Sequence, residues 1–455
     1  MTPDVVPISR LPTDILDCIF QQLVAMEYST SSSSLTGQNK PKYPISLTHV
    51  CRTWRQIIYQ SPSLWSRIRL TPDIQTNEQL ISCLNFYAIR VEQAPTDVYV
   101  TDLSLIQAFE TPTVAALDPF LAHIRSLEFQ LNITDASVVE TSKDKICYLI
   151  SKFLREKKTP LKRFVFNMVT FPKQELSFME SASKRTSYNN PTIDLPYELL
   201  ENALYSITDL WLGGLYFNWQ SRAYHGLTKL RLDICQPSSS TIPESQFINI
   251  LASSPRLQYL NIDLDIIQKT PSPPITHLPD LEVMVGDVSL PKLIWPGTRD
   301  LSISIIGQPN RDSGALYDPR IQDFFSRANI TAFLGDVFLH DVTELSQLLS
   351  ITANIRILAL TEIMLSGALP EIVRPSLDVV YLLGECEIEW SLLQQMVEMW
   401  GIKKLVFWRK NYIIRDSSQL IDSKQALEEV LPDLNILLEF ARISPMDMFI
   451  GPNFH

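Results

Sequence analysis

The chain has 455 residues, 45% of them hydrophobic, which is enough for two or more ordinary domains or one long repeat array. Its formal net charge of −11 argues against a nucleic-acid binder, which would offer phosphates a basic face. Six scattered cysteines fit reduced thiols better than a disulfide framework or a zinc site, whose ligands come in close pairs.

The start, MTPDVVPISR, lacks a cationic segment followed by an apolar core, and no uncharged apolar run is long enough to span a membrane. The expected location is therefore intracellular, cytoplasmic and/or nuclear, with no membrane contact. The first strongly patterned stretch follows Leu11. Pro12 suits the first helical position, where its missing N–H is not needed. Ile15, Leu16, Ile19, Phe20 and Leu23 then make the stripe of an amphipathic helix.

From Tyr28 to Pro44 the chain is rich in serine, glycine and proline and reads as an exposed polar insertion. A second helix is expected over Leu47, Val50, Cys51, Trp54, Ile57 and Ile58, stopped at Pro62 and followed by Leu64 and Trp65. Two short helices this apolar have more face than they can bury against each other, so a following domain or another protein must cover the rest.

These residues resemble an F-box: Leu11-Pro12 with Ile15-Leu16 and Ile19-Phe20, then Val50-Cys51-Arg52-Thr53-Trp54-Arg55, then Ser61-Pro62-Ser63-Leu64-Trp65. The split by an insertion is similar to fungal F-box-like proteins. The resemblance implies a receptor subunit of an SCF-type cullin-RING ubiquitin ligase that docks a Skp-type adaptor. The adaptor-facing candidates are Leu11, Pro12, Ile15, Leu16, Ile19, Phe20, Leu23, Val50, Cys51, Trp54, Ile57, Leu64 and Trp65. Some of this stripe must also pack internally.

Past Trp65, the alternation to Leu70 predicts a strand, Leu80 to Val91 a helix, and Asp97 to Val100 a second strand. An apolar-x-x-apolar-x-apolar unit then recurs, starting at Ile124, Leu161, Ile207, Leu227, Leu257, Leu278, Ile355, Leu377 and Ile402, with weaker copies at Thr298 and Ile330. Each unit is a strand plus a return segment that cannot bury its apolar face alone, so neighbours must stack.

This pattern is similar to a leucine-rich repeat, and the expected α/β architecture is a short all-α F-box over 1–70 followed by an irregular leucine-rich-repeat-like solenoid over 71–424. Residues 425–455 read as a helical cap and tail. A doubly wound parallel sheet is the competing fold. Residues 172–194 and 307–319 are polar and read as loops.

No phosphate loop, HExxH or GxSxG occurs, and the six histidines are dispersed, so neither catalysis nor a metal or other cofactor is expected. In a leucine-rich-type repeat the residues between and just after the last two apolar positions point to the concave surface. Trp211, Arg231, Asp233, Asn261, Asp263, Tyr381 and Trp408 are the candidates there for binding a protein target of unknown identity. The alternatives are a small-molecule-binding or enzymatic α/β protein with an unrelated helical pair, and a non-degradative scaffold that binds the adaptor.

Overall fold

The computed structural model describes residues 11–31, 43–70, 77–101, 112, 115–133, 136–155, 158–170, 177–187, 190–234, 241–267, 274–306, 317–336, 342–361, 364–365, 369, 376–384, 386–408, 412–415, 420–421 and 434–439. It contains two compact units, one formed mainly by residues 1–225 and the other by 226–233 and 241–454.

The first unit opens with helix α1, Thr13–Ser31, so Tyr28 to Ser31 continue the helix instead of starting the polar insertion. Residues 32–42 of that insertion lie outside the described residues. The second expected helix is two elements: a 3-10 turn, Ile45–His49, and helix α2, Arg52–Tyr59. The break falls at Cys51, whose backbone is extended (φ −157°) and whose Sγ accepts from the Trp54 N–H at 3.4 Å. A further 3-10 turn, Pro62–Trp65, leads directly into strand β1, Arg67–Leu70. Helix α3 (Asn77–Val91) and strand β2 (Thr96–Val100) follow where the sequence predicts them.

Strands β3 (Ile124–Ile133), β4 (Arg163–Thr170) and β5 (Asp209–Gly213) complete the main ladder of this unit. The strands pair in chain order and all in parallel. Parallel neighbours need a crossover, and the 20-residue helix α4, Ala136–Arg155, makes the one between β3 and β4. Its Ile146, Leu149, Ile150 and Phe153 are buried at the i, i+3, i+4, i+7 spacing.

The register stacks like on like. Ile68, Val98, Leu127, Phe164 and Leu210 are cross-strand partners, and so are Leu70, Val100, Phe129, Phe166 and Leu212. All ten are at most 3% exposed. At about 25 cal/mol per Å² of apolar surface removed from water, these ribs hold the unit together. The segment 172–194 is more than a loop: Ser177–Ser181 pairs in parallel with Thr192–Ile193 and with Leu215–Phe217.

The second unit repeats the plan with β6 (Lys229–Asp233), β7 (Tyr259–Ile262), β8 (Val283–Gly286), β9 (Leu301–Ile306), β10 (Ile330–Asp336), β11 (Ile357–Thr361), β12 (Val379–Leu383), β13 (Lys404–Trp408) and β14 (Asn435–Glu439). These also pair in chain order and in parallel. Leu230, Leu260, Met284, Ile303, Phe333, Leu358, Val380, Leu405 and Ile436 form one buried rib, none more than 2% exposed.

That rib corrects three expectations. The copy at Leu278 is displaced: Met284, not Leu281, pairs with Leu260, so the unit reads Leu281-x-x-Met284-x-Gly286. Gly286 takes the third apolar place because Leu290 fills it; a Cβ there would lie 2.5 Å from Leu290 Cδ1 and 2.6 Å from the Ile262 oxygen. The copy at Thr298 is likewise displaced, with Ile303 in the place given to Leu301. Finally, the expected helical stretch from 425 contains a strand, because Asn435–Glu439 finds the edge of β13 open to it; residues 422–433 and 440–455 lie outside the described residues.

Candidate docking surface on the N-terminal helices

Helix α1 divides its apolar residues between two directions. Leu16, Phe20 and Val24, at four-residue spacing, are at most 3% exposed. Phe20 meets the edge of Trp54, with ring centroids 4.8 Å apart and planes at 60°, and so joins α1 to α2. One step round the helix, Ile15 is 48% exposed and Met26 62%, while Ile19 and Leu23 are half-buried and Cys18 is exposed. The first turn is held by the Pro12 carbonyl, which accepts from the N–H groups of Ile15 and Leu16 at 3.1 Å. Asp14 places a negative charge where the helix dipole favours one.

The 3-10 turn and α2 show the same division. Leu47, Ile57 and Ile58 are buried, whereas Ile45 (42%), Val50 (59%) and Cys51 are exposed and Trp54 is half-buried. Arg55 Nε donates to the Thr48 carbonyl at 2.8 Å, fixing the turn against α2. Leu64 and Trp65 are 1% and 0% exposed. The Trp65 ring sits 5.4 Å from Phe86 and 5.5 Å from Tyr87 of α3, and the Arg90 guanidinium lies 3.4 Å from the Phe86 centroid and 5.3 Å from that of Trp65. A filled core thus lies beneath the helices.

The thirteen candidate residues therefore sort by direction. Leu16, Phe20, Ile57, Leu64 and Trp65 are core, and Ile15, Ile19, Leu23, Val50, Cys51 and Trp54 present the accessible apolar surface with Leu11 and Pro12 at the helix start. Sequence reasoning missed Ile45 and Met26, whose exposure belongs to the same region. Among the described residues, fourteen large hydrophobics are exposed and five of them fall between Ile15 and Tyr59. That concentration marks a surface built to be covered.

The target-facing candidates are placed as follows within their own units. Trp211 lies in the first unit and is 6% exposed. In the second unit Arg231 and Asn261 are ladder partners, and Arg231 Nε reaches both Asp233 oxygens at 2.8 Å. Asp263 is exposed just past β7, Tyr381 stands on β12 at 7% exposure, and Trp408 ends β13.

The first unit also has a polar array that the sequence analysis did not single out. On the face opposite the apolar ribs, Arg163 pairs with Asp209 at 2.6 Å and with Glu128 at 3.6 Å. Arg125 holds Asp97 through two hydrogen bonds of 3.1 and 2.7 Å. Burial pushes the Glu128 carboxyl up, against the pull of Arg163. The Tyr99 hydroxyl is pushed up to about 12 by burial and then by Asp97 and Glu128.

Short amphipathic helices with a filled core and a concentrated apolar exterior are a form suited to docking a protein. Residues 8–71 match the family described as F-box-like, so the chain carries an F-box-like domain there. F-box domains generally bind a Skp-type adaptor within cullin-RING ligases, which suggests that role for this one. The match ends one residue past β1, so the first strand of the ladder belongs to the matched span. Comparison of the whole chain with curated proteins finds no match.

Proposed function

We propose that the protein is a substrate-recruiting F-box subunit of an SCF-type cullin-RING ubiquitin ligase. The N-terminal helices dock the adaptor, and the parallel-strand region, read as an irregular leucine-rich-repeat-like solenoid of the fungal type, presents a protein target. Its role is recruitment and not catalysis. The observation that carries the reading is the F-box-like match at 8–71 on helices whose Ile15 and Val50 are 48% and 59% exposed above a closed core.

The chain-order parallel pairing within each unit supports the repeat reading, since stacked repeats contact only their neighbours. A cytoplasmic and/or nuclear location is part of the proposal. The test is co-purification of the adaptor with the full chain carrying Ile15→Asp and Val50→Asp. Loss of the adaptor with an unchanged melting transition is expected; adaptor recovered at the wild-type level overturns the reading.

A further inference from the structure

The first unit encloses a cavity of about 170 Å³ between the strand Ser177–Ser181, the helix Tyr197–Leu204 and the turn that follows Leu215–Phe217. Small-molecule sites usually run to ~300–1,000 Å³, so this one has room for a single side chain. Met179, Leu200 and Phe217, none more than 3% exposed, give it an apolar lining.

Two carboxylates share that lining, Glu180 and Glu201, each 5% exposed. Glu180 builds the wall. Its oxygens accept from the Thr186 N–H at 2.6 Å, from the Thr186 hydroxyl and from Asn190 Nδ2 at 2.9 Å, which folds the chain after Ser181 back onto it. Burial pushes the Glu180 carboxyl up, but these hydrogen bonds outweigh burial and leave it below its ordinary range, so it is charged at neutral pH.

Glu201 is held on one side only. Its Oε2 accepts from the Arg222 N–H at 2.6 Å and from the Ser221 hydroxyl at 3.1 Å, whereas its Oε1 accepts from no donor among the described residues. A buried acceptor without a donor is costly, so that oxygen calls for a partner from outside. No cation among the described residues is paired with either carboxylate. Lys184, at the mouth, stands over the Tyr197 ring instead, 4.1 Å from its centroid.

We propose that this cavity binds the side chain of a lysine from another protein, with its methylenes on Met179, Leu200 and Phe217 and its ammonium on Glu201 Oε1. The charge fits, with two carboxylates against one lysine at the mouth. The geometry selects ammonium over guanidinium: an arginine fork needs both oxygens of a carboxylate, and Ser221 and Arg222 already hold Oε2, whereas a point charge needs one. The exposed amides of Asn218 and Gln220 at the mouth suit the peptide groups beside such a lysine, which favours a polypeptide over a free amine. That the lysine belongs to a recruited target rests on the receptor reading above; the cavity's preference for it does not. Acetylation of that lysine removes its charge and so releases it.

The test is a ligand-observed NMR titration of the full chain with N-acetyl-lysine N-methylamide. Saturable binding is expected, weaker by roughly tenfold or more for the side-chain-acetylated compound, for the norleucine analogue and in Glu201→Gln. Glutamine keeps an oxygen for Ser221 and Arg222 and turns an amide donor toward the cavity. No saturable binding to the wild-type chain overturns the proposal, as does an affinity unchanged by Glu201→Gln. If the melting transition shows that variant unfolded, Gln220→Lys, an exposed change that supplies a competing ammonium, decides in the same way. Butylamine bound as tightly as the lysine compound overturns the polypeptide source. Adaptor recovery is a separate readout: a chain that recovers the adaptor but not the lysine compound counts against the cavity alone, and the reverse counts against the receptor reading alone.

Discussion

The indole Nε1 of Trp65 donates a 2.8 Å hydrogen bond to the carbonyl oxygen of Ile58, and both side chains are 0% exposed. The bond ties the last turn of α2 to the 3-10 turn that precedes β1. Trp65→Phe keeps the ring packing on Phe86 and Tyr87 but loses the bond, and should cost about 1 kcal/mol. Trp65→Ala opens a cavity as well and should cost about 3–5 kcal/mol. Urea denaturation followed by fluorescence measures both; equal losses would show that the bond, not the ring, dominates.

Cys51 caps α2 with sulfur, a weak acceptor, at 3.4 Å from the Trp54 N–H. Cys51→Asp or Cys51→Ser supplies an oxygen at the same place and should raise stability by about 0.5–1 kcal/mol. A lower melting temperature in both variants would contradict the capping role.

Gly286 stands at φ +154°, where a side chain is strained, and its missing Cβ is where Leu290 and the Ile262 carbonyl pack. Gly286→Ala should cost about 2–3 kcal/mol through overpacking. Gly226→Ala is the control: its φ of +68° is also unfavourable, but nothing lies within 4 Å. It should cost only about 1 kcal/mol. The ranking of the two unfolding midpoints checks this.

Glu128 is buried and its folded pKa is raised above the unfolded value, with burial the largest cause. Such a group contributes stability that is fully present below the ordinary glutamate range and is lost as pH rises through its raised folded value. Glu128→Gln should therefore flatten the pH dependence in that window, stabilising the chain relative to wild type increasingly toward neutral pH. Arg163 keeps its 2.6 Å partner Asp209 in the variant. Urea midpoints at a series of pH values decide it; parallel curves for the two proteins would rule the assignment out.

Where the sequence was readable, side chains of one kind recurred at one spacing. Ile15 through Leu23 announced a helix, and Leu227-x-x-Leu230-x-Leu232 a strand in register with its neighbour. The direction of each apolar residue on α1 was not readable, because Ile15 and Leu16 differ only in what lies opposite them. The unit at Leu281 was hidden by Gly286, whose apolar place is filled by Leu290 from another point in the chain. Asn435 to Glu439 has a run of Ile436, Leu437 and Leu438 that suits either conformation, and the free edge of β13 decides for the strand.

The 3-10 turn that ends at Trp65 is followed by Ser66 and then by β1 at Arg67, with Trp65 in the first apolar place of the unit Trp65-x-x-Ile68-x-Leu70. No tether separates the helices from the first strands of their unit. Two modules joined by a flexible linker meet at a rate set by the volume the linker lets them search. Here that volume has collapsed to a single pose. A partner on the helices and a partner on the adjoining strands are held at one fixed separation, so covalent geometry, and not local concentration, determines whether they can reach each other.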